Sequence, residues 1–81
     1  MFNNLKQLKQ IQDILTKEEA TEEVNGVKVK VNGKMEVLEI KINPDLNIEE
    51  QESSIKKCFN QAVRKMQFNL ASQMSKFKKD L

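Results

Sequence analysis

Two Asn-Gly pairs bracket the run Val24-Asn25-Gly26-Val27-Lys28-Val29-Lys30-Val31-Asn32-Gly33, and no other feature of the chain limits its fold so tightly. Asn-Gly suits the type I′ turn that joins antiparallel neighbours, and the residues between the two pairs alternate between valine and lysine. A second alternating run from Met35 to Ile42 ends at Asn43-Pro44-Asp45-Leu46, where proline stops a strand. Helical sequence lies on both sides. The chain therefore predicts an α/β (α+β) fold: an N-terminal helix, an antiparallel three-stranded meander and a long C-terminal helix.

Within the meander Val27, Val29 and Val31 fall on one side and Lys28 and Lys30 on the other. Leu38, Ile40 and Ile42 repeat the pattern against Glu39 and Lys41, so one sheet face should be apolar and covered by helices while the other stays wet. Val37 falls on the wet face, either as an ordinary exposed valine or as a contact for a second subunit. Glu36 and Glu39 are the expected cross-strand partners of Lys28, Lys30 and Lys41.

Phe2, Leu5, Leu8, Ile11 and Leu15, with Ile14 beside them, mark an amphipathic helix over roughly the first fifteen residues. A helix about 25 Å long is marginal alone in water, so its stripe is expected to rest on something. Lys17-Glu18-Glu19-Ala20 is compatible with its continuation, and Thr21 to Glu23 read as its end or as a first short strand reaching Val24. Further on, Asn47 with Glu50 three residues later reads as a helix N-cap. Ile55, Phe59, Ala62, Met66, Leu70, Met74, Phe77 and Leu81 then recur at spacings of three and four, with neither Pro nor Gly from 48 to 81. One helix of about 30 residues, near 45 Å, would outrun a three-stranded sheet, and its far end must project or pack on a partner. Asn69 is the candidate position for breaking it in two.

A chain of 81 residues is one domain, 1–81, with a thin private core, because a domain this small buries only about 60% of its unfolded surface. A partner surface is expected. One cysteine, Cys58, and no histidine argue against an internal disulfide and a zinc or haem site, so neither cofactor nor metal is expected. Cys58 reads as a small buried hydrophobe. Apolar runs too short to span a membrane, and an opening Met1-Phe2-Asn3-Asn4 unlike a signal peptide, lead to an expected cytoplasmic location. The carboxylates are scattered, with no histidine base and no phosphate-binding glycine loop, so an enzyme is not expected.

The net charge of +2 is unevenly spread. Residues 1 to 52 hold seven lysines against eleven acids, whereas residues 53 to 81 hold six lysines and Arg64 against Asp80 alone. Such a split fits a polyanion bound through the C-terminal helix, and equally head-to-tail pairing of subunits. No aromatic accompanies the charges in a strand pattern, which disfavours a single-strand stacking platform.

Gly26, Val27 to Val31, Asn32-Gly33, Val37 to Ile42, Asn43-Pro44-Asp45-Leu46 and Phe59-Asn60-Gln61-Ala62-Val63-Arg64-Lys65 follow one another in an order that resembles the YbaB/EbfC family of bacterial nucleoid-associated proteins. The resemblance covers residues 5 to 80 in layout and is sharpest from 26 to 66. It implies a subunit that dimerises through its sheet and central helices, with helical arms protruding like tweezers, and that binds duplex DNA in the nucleoid with little sequence preference.

General DNA binding needs long cations on phosphates and no base-reading residues. Lys76, Lys78 and Lys79 at the end of the last helix, with Lys6 and Lys9 on the first, are the expected arm surface. Arg64 and Lys65, nearer the sheet, are candidates for DNA, for ion pairs or for the dimer surface. Val37, Phe59, Met66, Phe68 and Leu70 are the candidate dimer contacts, Phe68 marking a second line off the main stripe. The alternative is a protein-interaction or scaffolding module whose arms grip another protein, favoured by the acidic first two thirds.

Overall fold

The structure, a computed structural model, describes the backbone of residues 2–79 and the side chains of residues 5–75. Its elements are α1 (Phe2–Lys17), β1 (Glu19–Val24), β2 (Val27–Asn32), β3 (Val37–Lys41) and α2 (Ile48–Lys79). The three strands form an antiparallel sheet in the order β1-β2-β3. The expected architecture is present, and α2 runs for 32 residues without a break at Asn69.

α1 stops at Lys17 because the next residues are taken by the sheet. Ala20 lies opposite Val31 and is buried, so strand pairing overrides the helix preference of Lys17-Glu18-Glu19-Ala20. The two Asn-Gly pairs do different work. Asn25 and Gly26 form the two-residue link of β1 and β2, both in the left-handed region at φ 53° and 80°, as a type I′ turn requires. Asn32 instead closes a longer loop: its Oδ1 accepts from the N–H groups of Lys34 at 2.9 Å and Glu36 at 3.0 Å. Its Nδ2 donates to Glu36 Oε1, which takes Glu36 out of the expected pairing with the sheet lysines. Gly33 serves close approach, donating its N–H to the carbonyl of Leu15 at 2.8 Å.

The core is one layer of α2 on β1 and β2. Ala20, Val27, Val29, Val31, Cys58, Ala62 and Met66 are buried in it, with Ile55, Phe59 and Leu70 packed around. Cys58 donates its thiol to the Val27 carbonyl at 3.1 Å, which satisfies the sulfur inside an apolar layer. Among the described residues no buried side-chain nitrogen or oxygen lacks a partner.

Two expectations about cover are corrected. α2 does not reach β3, where Leu38, Ile40 and Ile42 are 49%, 49% and 59% exposed. One helix about 10 Å across spans two strands spaced about 4.8 Å apart and leaves a third bare. Nor does α1 supply the missing cover, for it packs on little besides β2 and leaves Leu5 and Leu8 more than half exposed.

Val37 also changes side. The β2–β3 register pairs Lys30 with Glu39 but Val31 with Val37, so Leu38 is a residue in excess. Strict alternation would put Val37 with Glu39 on the wet face; the irregularity sets it opposite the buried Val31, on the apolar face.

The elements meet at both ends of the sheet. At one end Asn43 exchanges hydrogen bonds with Gln51 in the first turn of α2 and donates Nδ2 to the Asn25 carbonyl, while Asn25 Nδ2 reaches Ser54 Oγ at 3.0 Å. Asn47 caps α2, accepting from the Glu50 N–H at 2.8 Å, with Glu49 and Glu50 complementing the helix dipole. At the other end Gly33 abuts α1, and Gln73 of α2 donates to Glu18 Oε1 at 2.9 Å. Strands of six residues reach only about 20 Å, so the 54 Å long axis of the molecule belongs to its helices.

Candidate nucleic-acid interface

The candidate cations sit on the two helices, and their surroundings differ. Lys6 and Lys9 are exposed on α1, beside the uncovered Leu5 and Leu8. Lys76, Lys78 and Lys79 lie in the last turns of α2, where their side chains are outside the described residues. Arg64 and Lys65 are exposed in the middle of α2. Lys65 reaches Glu22 Oε1 of β1 at 3.8 Å, a half-exposed pair worth at most about 1 kcal/mol, so its charge can be redirected to a phosphate at little cost.

The wet face of the sheet offers no comparable field. Lys30 pairs with Glu39 at 3.8 Å, as cross-strand spacing predicts, and the register sets Glu23, Lys28 and Lys41 side by side. There Lys28 is flanked by Glu23 on one side and by Lys41 on the other, and Lys30 by Glu39. On α2, by contrast, Lys56, Lys57, Arg64 and Lys65 are present between Ser53 and Ser75 with no acid at all. The positive surface is therefore helical.

The candidate dimer contacts separate into three environments. Met66 has no exposed surface and is part of the subunit's own core, so it has no face to offer a partner. Val37 is exposed on the bare apolar strand β3, and Phe59 and Leu70 are half-buried along one flank of α2. Phe68 lies two residues from Leu70, about 200° away around the helix, and is 74% exposed on the opposite flank. A single flat partner cannot cover both. The uncovered apolar side chains of β3 together with Ile48, itself 77% exposed, were missed as a group by sequence reasoning, which assigned β3 to the core. The signal for them was the count of helices against strands.

Cys58 is the titratable group with a marked perturbation among the described residues. Burial pushes the Cys58 thiol above its ordinary value, a backbone group of Val24 pulls the other way, and Glu22 and Glu23 add to the rise. The thiol therefore stays neutral near pH 7. A shallow, open depression at the start of α2 is lined by Leu46, Asn47, Ile48 and Glu49, a set with one carboxylate and no base beside it. Among the described residues no three His, Cys, Asp or Glu side chains come together as a metal site, and no helix is long and apolar enough to cross a membrane.

Comparison with known proteins adds the family. The family model described as the YbaB/EbfC DNA-binding family matches residues 2–81, essentially the whole chain. No curated protein matches it.

Proposed function

Because this chain belongs to the YbaB/EbfC DNA-binding family, we propose that it is a nucleoid-associated protein that binds duplex DNA as a homodimer, with little sequence preference and without catalysis. One observation carries the reading: α2 bears Lys56, Lys57, Arg64 and Lys65 between Ser53 and Ser75 with no acid among them, and Lys6 and Lys9 are exposed on α1. Cations on helices that outrun the sheet can follow a phosphate backbone, a contact that positions a duplex without reading its bases. Lys6, Lys9, Arg64, Lys65, Lys76, Lys78 and Lys79 are the phosphate contacts in this reading.

The bare strand β3 supports the homodimer in this reading. Val37, Leu38, Ile40 and Ile42 form an exposed apolar strip on β3 and just past its end, and Phe59 and Leu70 are half-buried on one flank of α2. A thin one-layer core gains most by adding a second copy of itself there. The single domain 1–81 is then half of the folded unit, located at the nucleoid.

A second reading rests on Leu5 and Leu8. Their exposure on α1 suits arms that close on another protein, as a scaffolding module would. One experiment separates the two: titration of a labelled duplex by fluorescence anisotropy at low and moderate salt, with the mass in solution measured alongside. A dimer whose affinity falls as salt rises supports DNA binding. A dimer that ignores duplex DNA at low salt transfers the function to a protein partner.

A further inference from the structure

We propose that Phe68 is an aromatic wedge that enters a base step of duplex DNA, at the centre of an exposed strip of α2 formed by Lys57, Gln61, Arg64, Phe68, Ala71 and Ser75. The inference rests on the DNA-binding reading above and assigns the protein a further activity, bending the duplex. Spacings of four and three place these six residues on one helix face, and every one of them is exposed.

Phe68 is 74% exposed, while Ile55, Phe59, Ala62, Met66 and Leu70 of the apolar stripe are turned to the core. A second copy seated on β3 and on the flank of Phe59 and Leu70 leaves it open, since it lies on the far side of the helix from Leu70. Its neighbours identify the chemistry of its partner. Arg64 stands one turn before it and Lys57 two turns further back; the small Ala71 and Ser75 leave the approach beyond it clear. Glu22 of β1 is paired with Lys65, the residue after Arg64. An apolar wedge set among cations, with no acid on its own helix from Ser53 to Ser75, is complementary to a polyanion with an apolar interior. Stacked base pairs between phosphate rails have that composition, and wedges of Phe, Leu or Met between base steps bend the duplex.

Full-length protein and its Phe68→Ala, Phe68→Leu and Arg64→Gln variants would be titrated against a duplex labelled at both ends. Anisotropy at several salt concentrations reads affinity, energy transfer between the ends reads bending, and the mass in solution and helix content are measured on each variant. Removing the wedge should weaken binding roughly five- to tenfold without changing the salt dependence, because no charge is lost. The bend should disappear in Phe68→Ala and largely persist in Phe68→Leu, with mass and helix content unchanged. Arg64→Gln should instead lower the slope of log affinity on log salt by about 0.9, one phosphate contact. A Phe68→Ala variant that falls to a lower mass would make Phe68 a subunit contact and overturn the proposal. Unchanged affinity and bend in that variant, or a duplex left straight by the unaltered protein, would overturn it too. A wild-type protein that fails to bind the duplex at all would refute the DNA-binding reading itself, a result distinct from any of these.

Discussion

Gly33 is the residue at which α1 is attached. A β-carbon built there would stand 2.5 Å from the Leu15 carbonyl oxygen and 2.8 Å from its Cα, both backbone atoms at the end of α1. Neither can yield as a side-chain tip would. Gly33→Ala should therefore cost about 1–3 kcal/mol, the usual penalty of overpacking, measured as a lower midpoint in urea unfolding. Cys58 makes a second prediction, with a definite sign. Its thiol is raised in the folded state, so the unfolded chain loses that proton first as pH increases. The stabilisation is fully present below the ordinary thiol value of 9.0 and is lost as pH rises through the higher folded value. Urea unfolding at pH 8 and pH 10 should show a fall in stability that is smaller in Cys58→Ala than in the unaltered protein. The residue pattern could disclose that Cys58 would be buried, since it flanks the apolar stripe. It could not disclose the partner of Gly33, because Leu15 is brought there by the tertiary fold alone.

Among the elements, β3 departs furthest from its sequence pattern. Leu38, Ile40 and Ile42 alternate as core residues do, yet α2 covers only β1 and β2. Alternation reports which side a residue faces and says nothing of whether that side is roofed. The same strand shows the limit of counting by twos, because one residue in excess, Leu38 opposite the Lys30–Val31 step, moved Val37 to the apolar face. If β3 is the seam of a homodimer, Ile40→Glu should weaken self-association about a hundredfold, as an unpaired charge in an apolar interface does. Sedimentation would show a monomer, while circular dichroism would retain the helix signal. α2 was the most legible element. Its cap at Asn47, its acids in the first turn and its uninterrupted stripe are local properties, and the structure reproduces each of them.

At the scale of the whole molecule the relation between charge and shape matters most. The sheet mixes acids with its lysines, whereas α2 carries its cations between Ser53 and Ser75 with no acid among them, in a molecule 54 Å long. Binding spread over several such cations has a salt dependence that counts them. If these lysines contact phosphates as proposed, loss of Lys76, Lys78 and Lys79 by charge reversal should sharply reduce affinity for a duplex and flatten its slope on log salt, by about 0.9 for each phosphate contact removed. Loss of Lys28 and Lys41 from the wet sheet face should leave the slope unchanged. The same anisotropy titration reads both.

Local chemistry in the chain was enough to determine the order of elements, the first hairpin, the cap and length of α2, and the segregation of positive charge into the last third. Each depends on neighbours a few residues apart: Asn25-Gly26 adopting left-handed backbone, Asn47 reaching Glu50, cations following one another along a helix. Which apolar faces are covered was decided only in the tertiary structure, because cover depends on how many strands one helix can span. That geometry buried Met66 in the subunit's own core, bared β3 and left Phe68 on the outer face of α2.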